Sequence, residues 1–149
     1  MGEAKARLKR PEVEDPGREL RDWLDLLDEL VRTVTSFVGP DWVTEVTFKK
    51  MNDPVLGPYK APFLWMQRGP TRVALDPVTR FAPGTDGVVD LAKMPSYDEV
   101  ASLYRMDGAW SLHYAFRGSK PVVGVRSALS LPLEKPLLRR VLDEFAGHA

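Results

Sequence analysis

Two punctuation signals fence off residues 15–40: Asp15-Pro16 at one end and Gly39-Pro40 at the other. Aspartate is a good N-cap acceptor, and proline is preorganised for the first helical position. Glycine suits the left-handed cap at a helix end, and a following proline cannot continue the helix. Between these signals Leu20, Leu24, Leu27, Val31, Val34 and Val38 recur at helical spacing, which predicts a helix from Asp15 to Val38. Trp23, Leu26, Leu30 and Phe37 form a second apolar row beside the first. Two adjacent rows make a stripe wider than the roughly 100° that one packing contact uses. The simpler account is a helix lying across a sheet with one edge against a second element. The sharper account gives Trp23, Leu26, Leu30 and Phe37 to another chain, either a protein partner or a second copy in a homodimer. The opposite helix face carries Arg18–Asp22, Arg21–Asp25 and Asp28–Arg32 at i,i+4 spacing. Such pairs suit a solvated face. An acidic docking strip for a basic partner is the alternative.

Strand signals follow. Residues 42–51 alternate and are rich in Thr and Val. Asn52-Asp53-Pro54 and Gly57-Pro58 mark a loop, and 63–66 is a short apolar run ended by Gly69-Pro70. Residues 72–75 resume as a strand, predicting a hairpin with 63–66. Residues 76–87, with Pro77, Pro83, Gly84 and Gly87, read as a long loop before a strand at 88–91. Residues 96–107 carry conflicting signals. Ser96 and Glu99 fit a capping box, and Tyr97, Val100, Leu103 and Tyr104 share a helical face. Against this, Asp107-Gly108 is a hairpin turn signal ahead of alternating Trp110, Leu112, Tyr114 and Phe116. The start, stop and period together predict a short helix. Strands are expected at 109–116 and 122–129. A last helix opens at Pro136, buries Leu137, Leu138, Val141, Leu142 and Phe145, and closes at Gly147. The expected fold is α+β: an antiparallel sheet of about five to six strands, with a long N-terminal helix, a short middle helix and a C-terminal helix.

Totals bound the rest. The chain of 149 residues fits one domain, expected over 15–149 behind a flexible charged tail at 1–14. It contains no cysteine. That excludes disulfides, thiolate catalysis and cysteine-ligated zinc, and it fits a reducing compartment. No apolar run approaches the roughly 20 residues of a membrane span. Residues 1–10 are charged and no apolar segment follows them, which argues against a secretory leader. The expectation is a cytoplasmic protein without membrane contact. Net charge is +0, so no global field draws the chain to nucleic acid. Lys5, Arg7, Lys9 and Arg10 are nonetheless a local basic cluster and the candidate for nucleic-acid contact. So few phosphate contacts bind weakly and are lost with salt. No aromatic side chain interleaves with them to stack on bases.

Candidates for chemistry are sparse. His113 alternates away from Trp110, Leu112, Tyr114 and Phe116, which places it on the far side of its strand. A general base there needs an orienting carboxylate that no local motif supplies. With His148 it makes up the chain's two histidines, too few for a dedicated transition-metal site. Asp86 and Asp90 flank a strand start, but their spacing matches no EF-hand, and turn chemistry accounts for Asp86. No P-loop, dinucleotide fingerprint or nucleophile elbow is present. No metal, cofactor or catalytic residue is expected on these grounds.

The order of elements is similar to that of small dimeric type III secretion chaperones. These place a helix before a strand group, then a short helix, two strands and a last helix, so the likeness is one of topology and includes the helix at Ser96. The leading expectation is a non-enzymatic protein–protein interaction module: an accessory subunit, adaptor, chaperone or inhibitor of another protein. The second is a small-molecule-binding protein or unusual enzyme using His113, Tyr114 and Asp90. The third is a nucleic-acid accessory protein using the basic tail.

Overall fold

The computed structural model describes residues 13–116 and 129–147. Helix α1 (Pro16–Phe37) starts as its capping signals require: Asp15 Oδ1 accepts a hydrogen bond from the Arg18 N–H at 3.1 Å. It ends where Gly39 takes a φ of +84°. Seven strands follow: β1 (Val43–Asp53), β2 (Gly57–Arg68), β3 (Thr71–Thr79), β4 (Gly87–Met94), β5 (Val100–Met106), β6 (Ala109–Tyr114) and β7 (Leu129–Pro132). Helix α2 (Lys135–Phe145) follows them. Every strand pairs antiparallel with the next, so the order across the sheet is the order along the chain.

The class is α+β, but among the described residues the sheet has seven strands rather than about five to six, and there are two helices rather than three. The helix expected at 96–107 is corrected to a loop and strand β5. Ser96 Oγ bonds Asp98 Oδ1 at 2.6 Å. Tyr97 sits at φ +62°, which a right-handed helix does not admit. Asp107 and Gly108 both have positive φ, as a two-residue hairpin of the primed type requires. The physical reason is that strands β4 and β6 flank this segment and satisfy its backbone. A helix this short is marginal without strong packing. Its apolar residues also satisfy period two, with Ala101 and Leu103 buried and Val100, Ser102 and Tyr104 less so. Without a middle helix, the topological likeness to secretion chaperones is lost at that element.

Two loops are shorter than the prolines suggest. Strand β2 runs through Pro58 and Pro62, but it pairs with β3 only from Leu64 onward. Its proline-bearing half therefore has a partner strand on one side, and a missing N–H is tolerated on the other. Strand β3 runs through Pro77 to Thr79, where the register shifts. Proline within a sheet belongs at such irregularities. Most of the strand expected at 122–129 lies outside the described residues, as do residues 1–12 of the expected tail.

One sheet face carries the core. Leu64, Met66, Val73, Leu75, Val89, Leu91, Ala101, Leu103 and Leu112 meet Trp23, Leu27, Leu30 and Val34 of α1. They also meet Leu138, Val141, Leu142 and Phe145 of α2. Each such large side chain contributes about 1.5–3 kcal/mol when fully buried. Trp23 is the largest fully buried side chain: its Nε1–H donates to Tyr59 Oη at 3.2 Å, and Arg80 lies over its ring. Gly87 permits this seat, because a Cβ there would overlap the Trp23 ring.

Candidate functional site

The apolar row of α1 divides by depth. Trp23 and Leu30 are wholly enclosed in the protein's own core. Leu26 and Phe37 are half-buried and pack against that core. The stripe is wide because it meets both the sheet and α2. Lys5, Arg7, Lys9 and Arg10 lie outside the described residues.

The sheet face away from the helices gathers the titratable groups. Pairing places Asp76 opposite Asp90, Asp90 opposite Ser102, Ser102 opposite His113 and His113 opposite Ser130. Directly opposite residues in antiparallel strands share a face. A continuous polar row thus crosses β3 to β7. Lys49 of β1 joins it, donating to Asp76 Oδ1 at 2.6 Å and to the Pro77 carbonyl at 3.2 Å. The loop after β4 folds back onto this row, and Tyr97 Oη stands 3.0 Å from Asp76 Oδ2 and 2.8 Å from Asp90 Oδ2. Ser102 Oγ makes a long bond of 3.4 Å to Asp90 Oδ1.

Two carboxylates facing one another at half-buried positions are unfavourable when both are charged. Burial raises the Asp90 pKa above the ordinary carboxylate range, and the charge of Asp76 adds to the rise. The bonds from Tyr97 and Ser102 and the charge of Lys49 oppose it. Burial, with the bonds and charges of the two aspartates, raises the Tyr97 pKa strongly. Tyr97 has one proton and two carboxylate neighbours.

This row has the parts of a proton-transfer site in the wrong order. In a hydrolytic triad the histidine bridges nucleophile and carboxylate. Here Ser102 lies between Asp90 and His113, which are two strands apart, roughly 10 Å. His113 is exposed, and its ring meets Tyr104 edge-on at 6.2 Å. Tyr114 is on the other face, packed against Phe116 and Phe145 at 4.9 and 5.6 Å. The structure therefore separates Tyr114 from Asp90 and His113. Asp86 serves a turn: its N–H donates to the Arg105 carbonyl at 2.7 Å and its carbonyl accepts from Arg80 at 2.8 Å. Among the described residues, no three His, Cys, Asp or Glu side chains gather to hold a metal ion, and no helix is long and apolar enough to cross a membrane.

A cleft of about 200 Å³ at the C-terminal end of α1 is tied up by internal contacts. In it Arg68 bonds Asp143 at 3.0 Å and stacks on Trp42, while Arg139 donates to the Phe37 carbonyl at 2.7 Å.

The surface of a different kind is strand β1. Among the described residues it is the sheet edge, 11 residues long, in unbroken register with β2 and free of proline. Val43, Val46 and Phe48 on it are 74%, 46% and 66% exposed. Edge strands of soluble proteins are usually kept short, bulged, covered, interrupted or charged, and β1 shows the last of these in Glu45, Lys49 and Lys50. The described part of strand β7 ends in Pro132. Sequence reasoning found β1 as a strand but missed it as a surface, because edge position depends on the sheet order. It missed Lys49, Asp76, Tyr97 and Ser102 for the same reason, having read Asp76 as loop and Tyr97 as helix. The chain matches no protein-family model, and no curated protein or solved structure shows significant similarity to it.

Proposed function

We propose that the protein is a non-enzymatic protein–protein interaction module, an accessory subunit or adaptor, that engages its partner through the edge of β1, which is unpaired among the described residues. The observation that carries this is the exposed trio Val43, Val46 and Phe48 on a long, regular edge strand. An incoming strand gains backbone hydrogen bonds from such an edge and specificity from the alternate side chains. The contact surface moves from the α1 row to β1 because Trp23 and Leu30 are spent on the core. The absence of cysteine supports a reducing, cytoplasmic setting. The test is affinity capture from the native host lysate with the wild-type chain and with Phe48→Asp. A stoichiometric partner held by the wild type and lost by Phe48→Asp supports the reading. Equal capture by both sinks it.

A second reading, small-molecule binding, is favoured by the polar row around Asp90, whose charge is disfavoured by burial and by Asp76. Ligand screening by thermal shift, with Asp90→Asn as control, tests it. A ligand that stabilises the wild type and Asp90→Asn equally would place binding elsewhere.

A further inference from the structure

The β1 sequence is complementary to itself, and we infer that the occupant of its free edge is β1 of a second copy, joined antiparallel about Thr47. The inference rests on the reading of β1 as the interaction edge and names its partner.

Two antiparallel copies of one strand in one sheet are related by a two-fold axis normal to the sheet. That axis keeps the same face up in both copies, so odd residues face odd and even face even. The central residue then meets itself. With Thr47 at the centre, Glu45 faces the partner's Lys49, and Lys49 faces the partner's Glu45. Val46 faces the partner's Phe48, Phe48 faces the partner's Val46, and Val43 faces the partner's Met51. The opposite-charge pair and the aromatic–branched pair each form twice by symmetry, and such pairings favour antiparallel ladders. Moving the centre to Val46 sets Lys49 opposite Val43 and Phe48 opposite Thr44. Moving it to Phe48 sets Val46 opposite Lys50 and Glu45 opposite Met51. Charge and apolar matching coincide in the Thr47 register alone among these three.

The side chains are poised for it. Glu45 is exposed, as are Val46 and Phe48. Lys49 uses two of its three ammonium hydrogens on Asp76 and the Pro77 carbonyl. Both acceptors belong to β3, so Lys49 leans inward over β2 and must swing outward to meet the partner's Glu45, which its 37% exposed side chain leaves room to do. Joining two edges would make one continuous sheet with the described helices of both copies on one face, since the described residues of each copy bring seven strands and two helices.

The absence of native cysteine makes the test clean. Opposed residues of an antiparallel pair have Cα atoms about 4.5–5.5 Å apart, within disulfide range. Single-cysteine variants Thr47→Cys and Glu45→Cys are oxidised in the full chain, and the wild type and Glu45→Lys are sedimented across a concentration series. The expected result is a wild-type dimer, covalent dimer from Thr47→Cys and little from Glu45→Cys, whose mate is Lys49. Glu45→Lys should raise the dimer dissociation constant about tenfold or more, since it places like charges opposite twice. Unchanged circular dichroism would establish that the variants fold. A monomeric wild type at all concentrations, or cross-linking from Glu45→Cys as efficient as from Thr47→Cys, overturns the inference. A monomer whose Phe48 still governs capture of another protein would leave the broader interaction reading standing, while loss of both results would remove both.

Discussion

Asp76 and Asp90 face one another directly across β3 and β4, and the single phenol proton of Tyr97 lies within reach of both. A cross-strand pair of like charges weakens a sheet unless something offsets it. Here Lys49 supplies a cation on one side, while Asp90 takes a raised pKa on the other. The arrangement ties β1, β3, β4, β5 and the loop after β4 into one network.

Replacement of Asp90 by Asn tests the cost of that charge. The folded-state pKa of Asp90 is raised above its reference value of 3.8. Between the two values the native state therefore holds a proton that the unfolded chain has lost. Native stability falls as pH rises through this window and stays lower above it. Asp90→Asn, which keeps an acceptor for Tyr97, is expected to melt higher than wild type at pH 7 by no more than about 3 °C, given solvent screening. The difference should shrink towards zero below pH about 4. Thermal melts across pH check it, and a wild type more stable than the variant at pH 7 would refute the sign.

Tyr97→Phe removes both phenol contacts from the aspartates. Leaving half-buried acceptors without their donor costs about 1–3 kcal/mol, a Tm drop of about 3–8 °C for a chain of this size. The Tyr97 bond also holds the Asp90 pKa down against burial. In the variant Asp90 should therefore titrate at higher pH, readable from its side-chain carboxyl carbon by NMR.

Gly87→Ala should be among the most damaging single-methyl additions. The new Cβ would overlap the Trp23 ring, which is rigid and fully buried. Overpacking of this kind costs about 1–3 kcal/mol. Urea titration gives the value, and Gly84→Ala, with nothing within 4 Å of its added Cβ but a φ of +76°, separates crowding from backbone strain.

The bond from Trp23 Nε1 to Tyr59 Oη links α1 to β2. Tyr59→Phe strands a buried donor, whereas combining it with Trp23→Phe removes both partners. The double variant should lose less than the sum of the singles, with a coupling of about 0.5–1.5 kcal/mol in equilibrium unfolding. Strict additivity would mean that the bond contributes nothing.

Local chemistry was legible where it is decided locally. Asp15, Pro16 and Gly39 set the bounds of α1, and Pro136 and Gly147 those of α2, as their backbone preferences require. Strands β1 and β6 were visible from alternation, and β3 and β4 only in part, as the short stretches 72–75 and 88–91. Residues 96–107 misled because Tyr97, Val100, Leu103 and Tyr104 satisfy the helical period, while the strands that claim the segment lie outside it in sequence. The polar row was illegible for a related reason. Asp76, Asp90, Ser102 and His113 have no common spacing, and only the register of four strands aligns them. Asp90 and His113 each stood out singly, but the residues that give Asp90 its character, Asp76 and Tyr97, were hidden in segments read as loop and helix.

The uninterrupted meander also governs how the chain acquires its shape. From β1 to β6 each strand finds its mate among the residues just before it, so these ladders close short loops, and loop closure is least costly when short. Sheet proteins fold slowly when their pairings are distant in sequence. This order avoids that for the sheet and leaves α1 as the long-range participant, since Trp23 seats beside Gly87. Substitutions in hairpins such as Asp107-Gly108 should therefore slow refolding, while those that loosen Trp23 should mainly speed unfolding, a division that stopped-flow kinetics can read directly.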